Sequence, residues 1–433
     1  MKSLAKKLIA SLLTVEARLV LFRYRPKIVA ITGSVGKTAT KDAVYTVLKE
    51  IMSVRKSAKS FNSELGIPLT ILGVEESGWG SASRWFSILC GGLIKILYAP
   101  GYPEWLVLEA GVDRPYDMAR LTRWLSPDCV VITRFADVPV HLEFFPSRTA
   151  LIEEKLLLAQ SVRTGGFLVL NADDTDLAQF VPPTGVRVRT YGKHPEASLC
   201  ISDARIVYDK ENAVPKGVSF VLASRGESHT LMLRGTLGLH FAYALAAACA
   251  VGQELGVSLS HAVSALADFP LPRGRMRLLE GVQGSIVIDD TYNASPVALH
   301  AALLALRELS VRGRKIVLLG DMRELGAEEK RAHEQAGEDV AEVADYLFTV
   351  GTSSLGTHEA ARRKEMSSER LRHFDSSEKA GLFLKEFLRD GDAVLVKGSQ
   401  GMRMEKAVAI ILAHPEKKNE LLVRQEKEWE KKI

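Results

Sequence analysis

The sequence predicts an α/β protein with two main domains, each built on a mostly parallel sheet. Apolar strand patterns alternate with helical patterns in both halves of the chain, which is typical of parallel strands joined by crossover helices. At roughly 100 to 200 residues per domain, a chain of 433 residues accommodates two or three domains. Hydrophobic residues make up 47% of the sequence, which is enough for ordinary packed cores.

The pattern along the chain sets the expected boundaries. They are a helical lead (1–27), a central domain (28–273), a C-terminal Rossmann-like α/β domain (274–416) and a charged helical tail (417–433). Within the central domain, residues 197–236 alternate between apolar and polar and predict short antiparallel strands that decorate it.

Charge and cysteine content exclude some classes of protein. Lys and Arg total 57 against 52 Asp and Glu, and a net charge of +5 is too small to indicate nucleic-acid binding without a clustered patch. The basic residues near the two termini are interpreted as solvated helix faces. The four cysteines form no CxxC pair and lie in apolar contexts, so we expect buried free thiols in a reducing, cytoplasmic compartment.

Two apolar segments raise the question of a membrane. Residues 8–22 are interrupted by Glu16 and Arg18, and residues 85–99 contain Lys95. Both fall short of the ~20 apolar residues that a transmembrane helix needs. We expect no transmembrane segment and leave peripheral membrane contact open.

The most informative stretch lies near the start of the chain. "KIVAITG" predicts a buried strand, "TATKDAVYTVLKE" predicts a helix, and Gly33, Ser34, Val35, Gly36, Lys37 and Thr38 lie at the turn between them. Such a turn aims backbone N–H groups and the positive end of a helix at phosphate, while the lysine neutralises charge and the threonine hydroxyl binds Mg²⁺. Ile31 stands where the general P-loop pattern has its first glycine, so the loop is a compact form.

Six further blocks follow in order: "FNSELGIPLTIL", "LVLEAG", "HLEFF" with "EEKLLLA" and "LVLNADD", "IDDTYNASP", "LLGDMRELG" and "VLVKGSQGMRMEKAV". With the P-loop, this combination resembles the Mur ligases, the ATP-dependent amide-bond synthetases of peptidoglycan assembly, over residues 28 to 412. The resemblance implies a P-loop central domain, a C-terminal α/β domain and the cofactors ATP and Mg²⁺.

The implied reaction joins a carboxylate to an amine. A free carboxylate is a poor electrophile, so ATP first converts it to an acyl phosphate, and the amine then displaces phosphate. Both steps develop charge on phosphoryl oxygens, which cations fixed in advance can stabilise. The resemblance implies a muramoyl-peptide substrate and a dipeptide, D-alanyl-D-alanine.

The resemblance also assigns roles to individual residues. Thr38 and Glu109 bind one Mg²⁺; His141 and a carbamylated Lys155 bind a second; Arg275 reaches the ATP phosphates; Asp290 and Asn293 contact the nucleoside; and Asn62, Ser63, Lys397 and Ser399 contact the substrate. Lys397 at a strand end could instead cap that strand, and Lys155 could be an ordinary exposed helical lysine.

The sequence departs from the family pattern in three places. Phe241 and Tyr243 follow His240 where the family usually has asparagines, so stacking is expected to replace hydrogen bonds near adenine. Only residues 1–27 precede the P-loop strand, where family members carry a uridine-nucleotide-binding domain of roughly a hundred residues. An apolar insert occupies residues 78–105. It could pack with the lead helix as a replacement platform, or the two could contact a lipid-linked or partner-presented substrate.

Three hypotheses for function therefore remain open. The first is the ligase described above. The second is a related ligase with another acceptor, such as a folate polyglutamate or a noncanonical wall peptide, which the missing domain leaves open. The third is a non-catalytic ATP-binding scaffold for wall enzymes. Independently of these hypotheses, a partner protein could supply the missing domain.

Overall fold

The computed structural model describes residues 2–57, 65–75, 81–136, 142–209, 211, 214–426 and 429. Elements are numbered in chain order. The strands of the first sheet are β1 (Lys27–Thr32), β2 (Val54–Lys56), β3 (Trp105–Glu109), β4 (Cys129–Ile132), β5 (Phe167–Asn171), β6 (Arg187–Gly192), β7 (Leu199–Tyr208), β8 (Pro215–Ser224) and β9 (Glu227–Arg234). Those of the second are β10 (Arg277–Glu280), β11 (Ile286–Asp290), β12 (Lys315–Gly320), β13 (Tyr346–Val350), β14 (Leu371–Phe374) and β15 (Ala393–Lys397).

The helices of the first half are α1 (Lys2–Tyr24), α2 (Lys37–Leu48), α3 (Gly66–Ile71), α4 (Ala82–Leu97), α5 (Asp117–Thr122), α6 (Arg148–Gln160), α7 (Phe241–Glu254) and α8 (Leu259–Leu266). Those of the second half are α9 (Pro296–Glu308), α10 (Glu329–Ala341), α11 (Ser354–Arg363), α12 (Ser377–Phe387), α13 (Glu405–Ile411) and α14 (Lys418–Leu421). The mixed α/β fold with mostly parallel sheets is confirmed.

The first sheet places β1 between β3 and β4, as the third of its nine strands. Its order is β2-β3-β1-β4-β5-β6-β7-β8-β9, and every pair from β2 to β7 is parallel. Successive residues of β1 point to opposite faces, so Val29 and Ile31 enter one core while Ile28 and Ala30 enter the other. Both faces are covered, as a parallel sheet requires.

The antiparallel strands predicted over residues 197–236 are present, but they are not short. β7 and β8 have 10 residues each and continue the same sheet, because β6 pairs with β7 in parallel at Tyr191 and Leu199. A register shift between Ser202 and Arg205 breaks the alternation that would reveal such a long strand in the sequence.

The second sheet has the order β10-β11-β15-β12-β13-β14, with one antiparallel pair at β10. Two cores cover its faces. Residues 235 to 237 link the two halves, since Leu237 N–H donates to the Met276 carbonyl at 3.0 Å and Leu278 N–H donates to the Gly235 carbonyl at 2.9 Å.

The charged tail contains short helical segments in its described residues. They are the four residues of α14, a 3₁₀ turn that ends at Lys417, and Trp429. The tail is fixed by Arg424, which is 8% exposed and donates to the Thr291 carbonyl at 3.0 Å and to Glu405 at 3.2 Å. A buried, paired arginine anchors a segment without requiring a helix.

Helix α1 packs against the insert helix α4. Leu13, Ala17 and Val20 of α1 share a core with Trp85 and Ile88 of α4. In the described part of the chain, no helix combines the length and apolar character needed to cross a membrane.

Glu16 is a buried acid in this helix pair. It is 6% exposed, lies against Gly92 of α4, and one of its carboxylate oxygens has no hydrogen-bond partner. Desolvation raises the pKa of Glu16 from 4.5 to about 7. The unfolded chain ionises this group near its ordinary pKa, so folding carries a growing penalty as the pH rises from about 4.5 to about 7.

We therefore expect Glu16→Gln to raise the midpoint of the first thermal transition by about 3 °C or more at pH 8, with little effect at pH 4.5. The matched control is Glu308→Gln, at an exposed position on α9. Thermal unfolding of the three proteins at both pH values measures the effect. An equal shift at both pH values would show that ionisation of Glu16 does not cost stability.

Candidate active site

The glycine-rich loop lies at the carboxyl end of β1 and is fixed to the end of β4. Ser34 N–H donates to the Arg134 carbonyl at 2.7 Å. Gly33 has φ +139°, and any side chain there would collide with the Thr133 hydroxyl. The turn therefore requires glycine at this position, both for its backbone conformation and for its close approach to β4.

Thr38 and Glu109 are brought together at the same edge of the sheet. The parallel register pairs Ile31 of β1 with Glu109, the last residue of β3. The Thr38 hydroxyl in the first turn of α2 donates to the Glu109 carboxylate at 3.0 Å. Glu109 is only 2% exposed, so this oxygen pair is held in place next to the loop.

Lys37 lies over the loop, and its ammonium group donates to the Gly33 carbonyl at 3.1 Å. Desolvation lowers the pKa of Lys37, and the charge of Glu109 opposes that change. The charge of Arg275 lowers the pKa further, whereas that of Asp113 raises it. Arg275 comes from the second half of the chain, so charged groups of both halves act on the same lysine.

Lys155 of α6 is a second cation at the loop. It is 5% exposed and donates to the Gly33 carbonyl and the Ser34 hydroxyl, both at 3.1 Å. Burial and the neighbouring charge of Lys37 hold the pKa of Lys155 well below its usual value. It is therefore not the ordinary exposed lysine that the sequence left open.

Asp290 and Lys397 form a buried pair at the ends of β11 and β15. The Lys397 ammonium donates to the Asp290 carboxylate at 2.5 Å and to the Asn293 carbonyl at 3.0 Å. Arg275 stacks over the Tyr292 ring at 4.2 Å and acts electrostatically on Asp290. Ser399 accepts a hydrogen bond from Arg323 N–H at 2.8 Å. The roles of these residues toward the nucleoside and the substrate remain predictions.

The expectation that aromatic side chains stack on adenine is wrong for Phe241. Phe241 is fully buried, because it faces the core between α7 and the first sheet and packs against Phe269. Tyr243 is half-buried and donates to Asp173 at 2.8 Å. His240 lies beside Phe241, and its pKa is lowered to about 3 by burial and by the charges of Arg275 and Lys397.

Three predicted residues, Asn62, Ser63 and His141, lie outside the described residues. Within the described ranges no three His, Cys, Asp or Glu side chains cluster as a metal site. The oxygen atoms of Thr38 and Glu109 are the described candidates for a divalent cation, and oxygen ligands of this kind suit Mg²⁺.

Sequence reasoning missed two charged residues at the site. Lys41 is 1% exposed, with its ammonium 3.9 Å from the Glu109 carboxylate and 3.2 Å from the Ser57 hydroxyl. Asp113 raises the pKa of both Lys37 and Lys155. A signal for Lys41 was present, because it lies four residues after Lys37 and so faces the same side of α2.

These features define a class of protein. The site combines a phosphate-binding loop, a hydroxyl–carboxylate pair suited to Mg²⁺, and an arginine from the second half of the chain whose charge acts on the loop lysine. These are the parts of an enzyme that uses a nucleoside triphosphate.

Comparison with known proteins identifies the family. The Mur ligase middle domain model matches residues 93–252, and the model described as Mur ligase, glutamate ligase domain matches residues 274–400. The UDP-N-acetylmuramoyl-tripeptide–D-alanyl-D-alanine ligase of Mycobacterium leprae is 30% identical over 397 residues, covering 87% of this chain and 71% of that protein. The enzyme of the same name from Bacillus subtilis is 27% identical over 390 residues, covering 90% and 76%.

The crystal structure of the MurF ligase from Thermotoga maritima in complex with ADP superimposes with a TM-score of 0.75 at 27% identity, covering 95% of this chain and 84% of that one. The protein therefore belongs to the Mur ligase family, as the sequence motifs indicated.

The Thr38–Glu109 pair generates a prediction about Mg²⁺. We expect Glu109→Gln to raise the Mg²⁺ concentration needed for half-maximal binding of an ATP analogue by about tenfold or more, because it removes the anionic partner of the hydroxyl. Titration calorimetry at a series of Mg²⁺ concentrations measures this. The control is Glu104→Gln, at an exposed position just before β3. Equal Mg²⁺ dependence in the two variants would remove Glu109 from the metal site.

Proposed function

We propose that this protein is an ADP-forming ligase that adds D-alanyl-D-alanine to a muramoyl tripeptide, with ATP as the energy source, in the synthesis of peptidoglycan precursors. The observation that carries the proposal is the Thr38–Glu109 pair beside a buried Lys155 on a phosphate-binding loop. The compared relatives from Bacillus subtilis and Mycobacterium leprae both carry the name of this ligase.

The residues present support the chemistry of carboxylate activation. The substrate carboxylate attacks the γ-phosphorus of ATP and forms an acyl phosphate, and the amine of the dipeptide then displaces phosphate. Lys37, Lys41 and Arg275 supply positive charge where phosphoryl oxygens gain negative charge, and charges that are fixed in advance do so with little reorganisation of solvent. Mg²⁺, bound through Thr38 and Glu109, would add Lewis-acid stabilisation of the same oxygens.

The competing hypotheses are less well supported. A ligase for folate polyglutamates would share the fold, but the compared relatives at 27% and 30% identity are peptide ligases of the cell wall by name. A scaffold that only binds ATP would have no need of a second buried lysine against the loop. The four cysteines are free, which is consistent with our proposal that the reaction takes place in the cytoplasm.

The proposal is tested by phosphate release from purified protein supplied with ATP, Mg²⁺, UDP-N-acetylmuramoyl-tripeptide and D-alanyl-D-alanine. We expect release only when both the tripeptide and the dipeptide are present, with the muramoyl pentapeptide as product by mass spectrometry. Folate with glutamate, and single amino acids in place of the dipeptide, serve as alternative substrates.

In the same assay Lys37→Ala should lower kcat/KM by about a thousandfold or more, because it removes the cation that neutralises the transferred phosphoryl group. Lys49→Ala, at an exposed position just after α2, is the matched control. Turnover of folate in preference to the muramoyl tripeptide, or wild-type turnover by Lys37→Ala, would refute the proposal.

We also propose that Lys155 reacts with carbon dioxide to form a carbamate. Its lowered pKa leaves a larger share of uncharged amine at neutral pH, and the uncharged nitrogen is the nucleophile that attacks the carbon of CO₂. The ammonium group first loses one proton to give this amine, and a second proton leaves the nitrogen as the N–C bond forms and one C=O bond of CO₂ becomes a carboxylate C–O⁻. The net change at Lys155 is from a cation to an anion. The anion would support a second Mg²⁺ where an ammonium group would repel it.

Lys155→Ala should therefore be nearly inactive, and acetate or another small carboxylate should restore part of the activity by supplying an anion at the same place. Lys37→Ala should show no such rescue. The chemical readout is a carbamate carbon signal in the NMR spectrum of wild-type protein equilibrated with ¹³C-labelled bicarbonate, lost in Lys155→Ala. Absence of that signal in an active wild-type enzyme would contradict carbamylation.

A further inference from the structure

The outer faces of α1 and α4 carry large exposed apolar side chains that the active site does not use. On α1 they are Leu8, Leu12, Val15, Leu19 and Phe22. On α4 they are Phe86, Leu93, Ile94 and Leu97, and Tyr98 follows directly after the helix. We call this set the α1/α4 apolar face. Monomeric proteins rarely expose so many apolar side chains in one place without a partner.

Helical spacing gathers each set into a stripe. The exposed residues of α1 recur at intervals of four and three, which places them on one side of the helix. Leu13, Ala17 and Val20 lie on the opposite side and are fully buried. Helix α1 therefore has two apolar sides, and only one of them is covered by the rest of the protein. The exposure is large, with Phe22 75% and Leu97 76% accessible.

The two stripes adjoin one another. Glu16 lies between Leu12 and Leu19 along the axis of α1, and it contacts Gly92 of α4. Leu93 follows Gly92 directly and is 55% exposed. The Tyr24 hydroxyl also donates to the Lys95 carbonyl at 2.9 Å, which fixes the end of α1 against α4. The two stripes therefore lie on neighbouring helices that are packed together.

Basic residues surround this face. Lys7, Arg18, Arg23, Arg25 and Lys27 are exposed on or just after α1. The single acidic residue in positions 1–27 is Glu16, which is buried, and positions 81–103 contain no acidic residue but include Arg84 and Lys95. The surface thus combines apolar side chains with positive charge and exposes no negative charge of its own helices.

We propose that the α1/α4 apolar face binds in the plane of a membrane whose surface carries anionic phospholipid headgroups. Anionic headgroups complement the basic rim, and the acyl region accepts the apolar stripes to a shallow depth, as for other interfacial helices. Tyr98 is an aromatic residue of the kind that favours the interface between headgroups and acyl chains. Phe22 and Phe86 are apolar aromatics of the kind found on the membrane-facing side of interfacial helices.

Charge decides against a second copy of the chain as the occupant. A two-fold symmetric dimer would bring the same basic residues of both copies to one interface, where like charges repel. An anionic surface removes that repulsion and adds attraction. The inference does not depend on the proposed ligase activity, because none of these side chains contacts the loop that carries Lys37.

The test is co-sedimentation of the full chain with vesicles of phosphatidylcholine alone or of phosphatidylcholine mixed with phosphatidylglycerol. We expect at least about tenfold tighter binding to the anionic vesicles. Binding should weaken as sodium chloride is raised, because salt screens the basic rim.

Two variants separate the apolar and the basic contributions. Leu19→Glu with Leu93→Glu places one carboxylate in each stripe and should weaken binding by about tenfold or more. Arg18→Gln with Arg23→Gln should reduce the preference for anionic vesicles by about tenfold. The control is Leu382→Glu, which changes a leucine on α12 that is 59% exposed and should leave binding unchanged.

Circular dichroism and thermal unfolding confirm that each variant is folded before it is compared. Failure of the folded wild-type protein to bind anionic vesicles would overturn the proposal. So would equal binding by the Leu19/Leu93 variant. A concentration-dependent dimer in analytical ultracentrifugation, abolished by Leu19→Glu with Leu93→Glu and formed without vesicle binding, would assign the face to a second copy instead.

Discussion

The parallel pairing of β1 between β3 and β4 is the constraint on which the site depends. Because all three strands run in the same direction, their carboxyl ends meet at one edge of the sheet. The glycine-rich loop leaves β1 there, Glu109 ends β3 beside it, and the turn after β4 accepts the N–H of Ser34. None of these groups is near another in the sequence, so the sheet alone brings them together.

The electrostatics of the site follow from this convergence. Lys37 and Lys155 contact the same loop, and Lys41 lies 3.9 Å from Glu109 beside it. The carboxylates that act on these three lysines include Glu109, Asp42 and Asp113. Burial lowers the pKa of all three lysines, so their positive charge is costly in the protein alone and is relieved by anionic phosphate. Packing of the two cores holds these partly desolvated lysines in place for a negatively charged ligand.

Much of the fold and part of the site could be predicted from the sequence. The α/β class followed from alternating patterns, and the observed Thr38–Glu109 hydrogen bond agrees with the shared role that the family resemblance gave these two residues. The burial of Phe241 could not be predicted, because an aromatic residue at the start of an alanine-rich helix suits a binding pocket and a core equally well. Lys41 was missed because a lysine in an amphipathic helix is usually solvated, and only the tertiary structure removes it from water.

The second half of the chain completes the site from a separate sheet, and its position is set by short contacts. Leu237 and Leu278 carry backbone hydrogen bonds across the junction, and the Tyr208 hydroxyl of β7 accepts the Ser310 N–H at 2.8 Å. The long antiparallel extension β7–β9 therefore does more than decorate the first domain, because it provides the surface on which the second domain rests. Gly326 also approaches Glu143 closely, which adds a contact between the two halves of the chain. Arg275 can act on Lys37 only because these contacts fix one sheet relative to the other, so the geometry of the phosphate site is a property of the whole chain rather than of the loop alone.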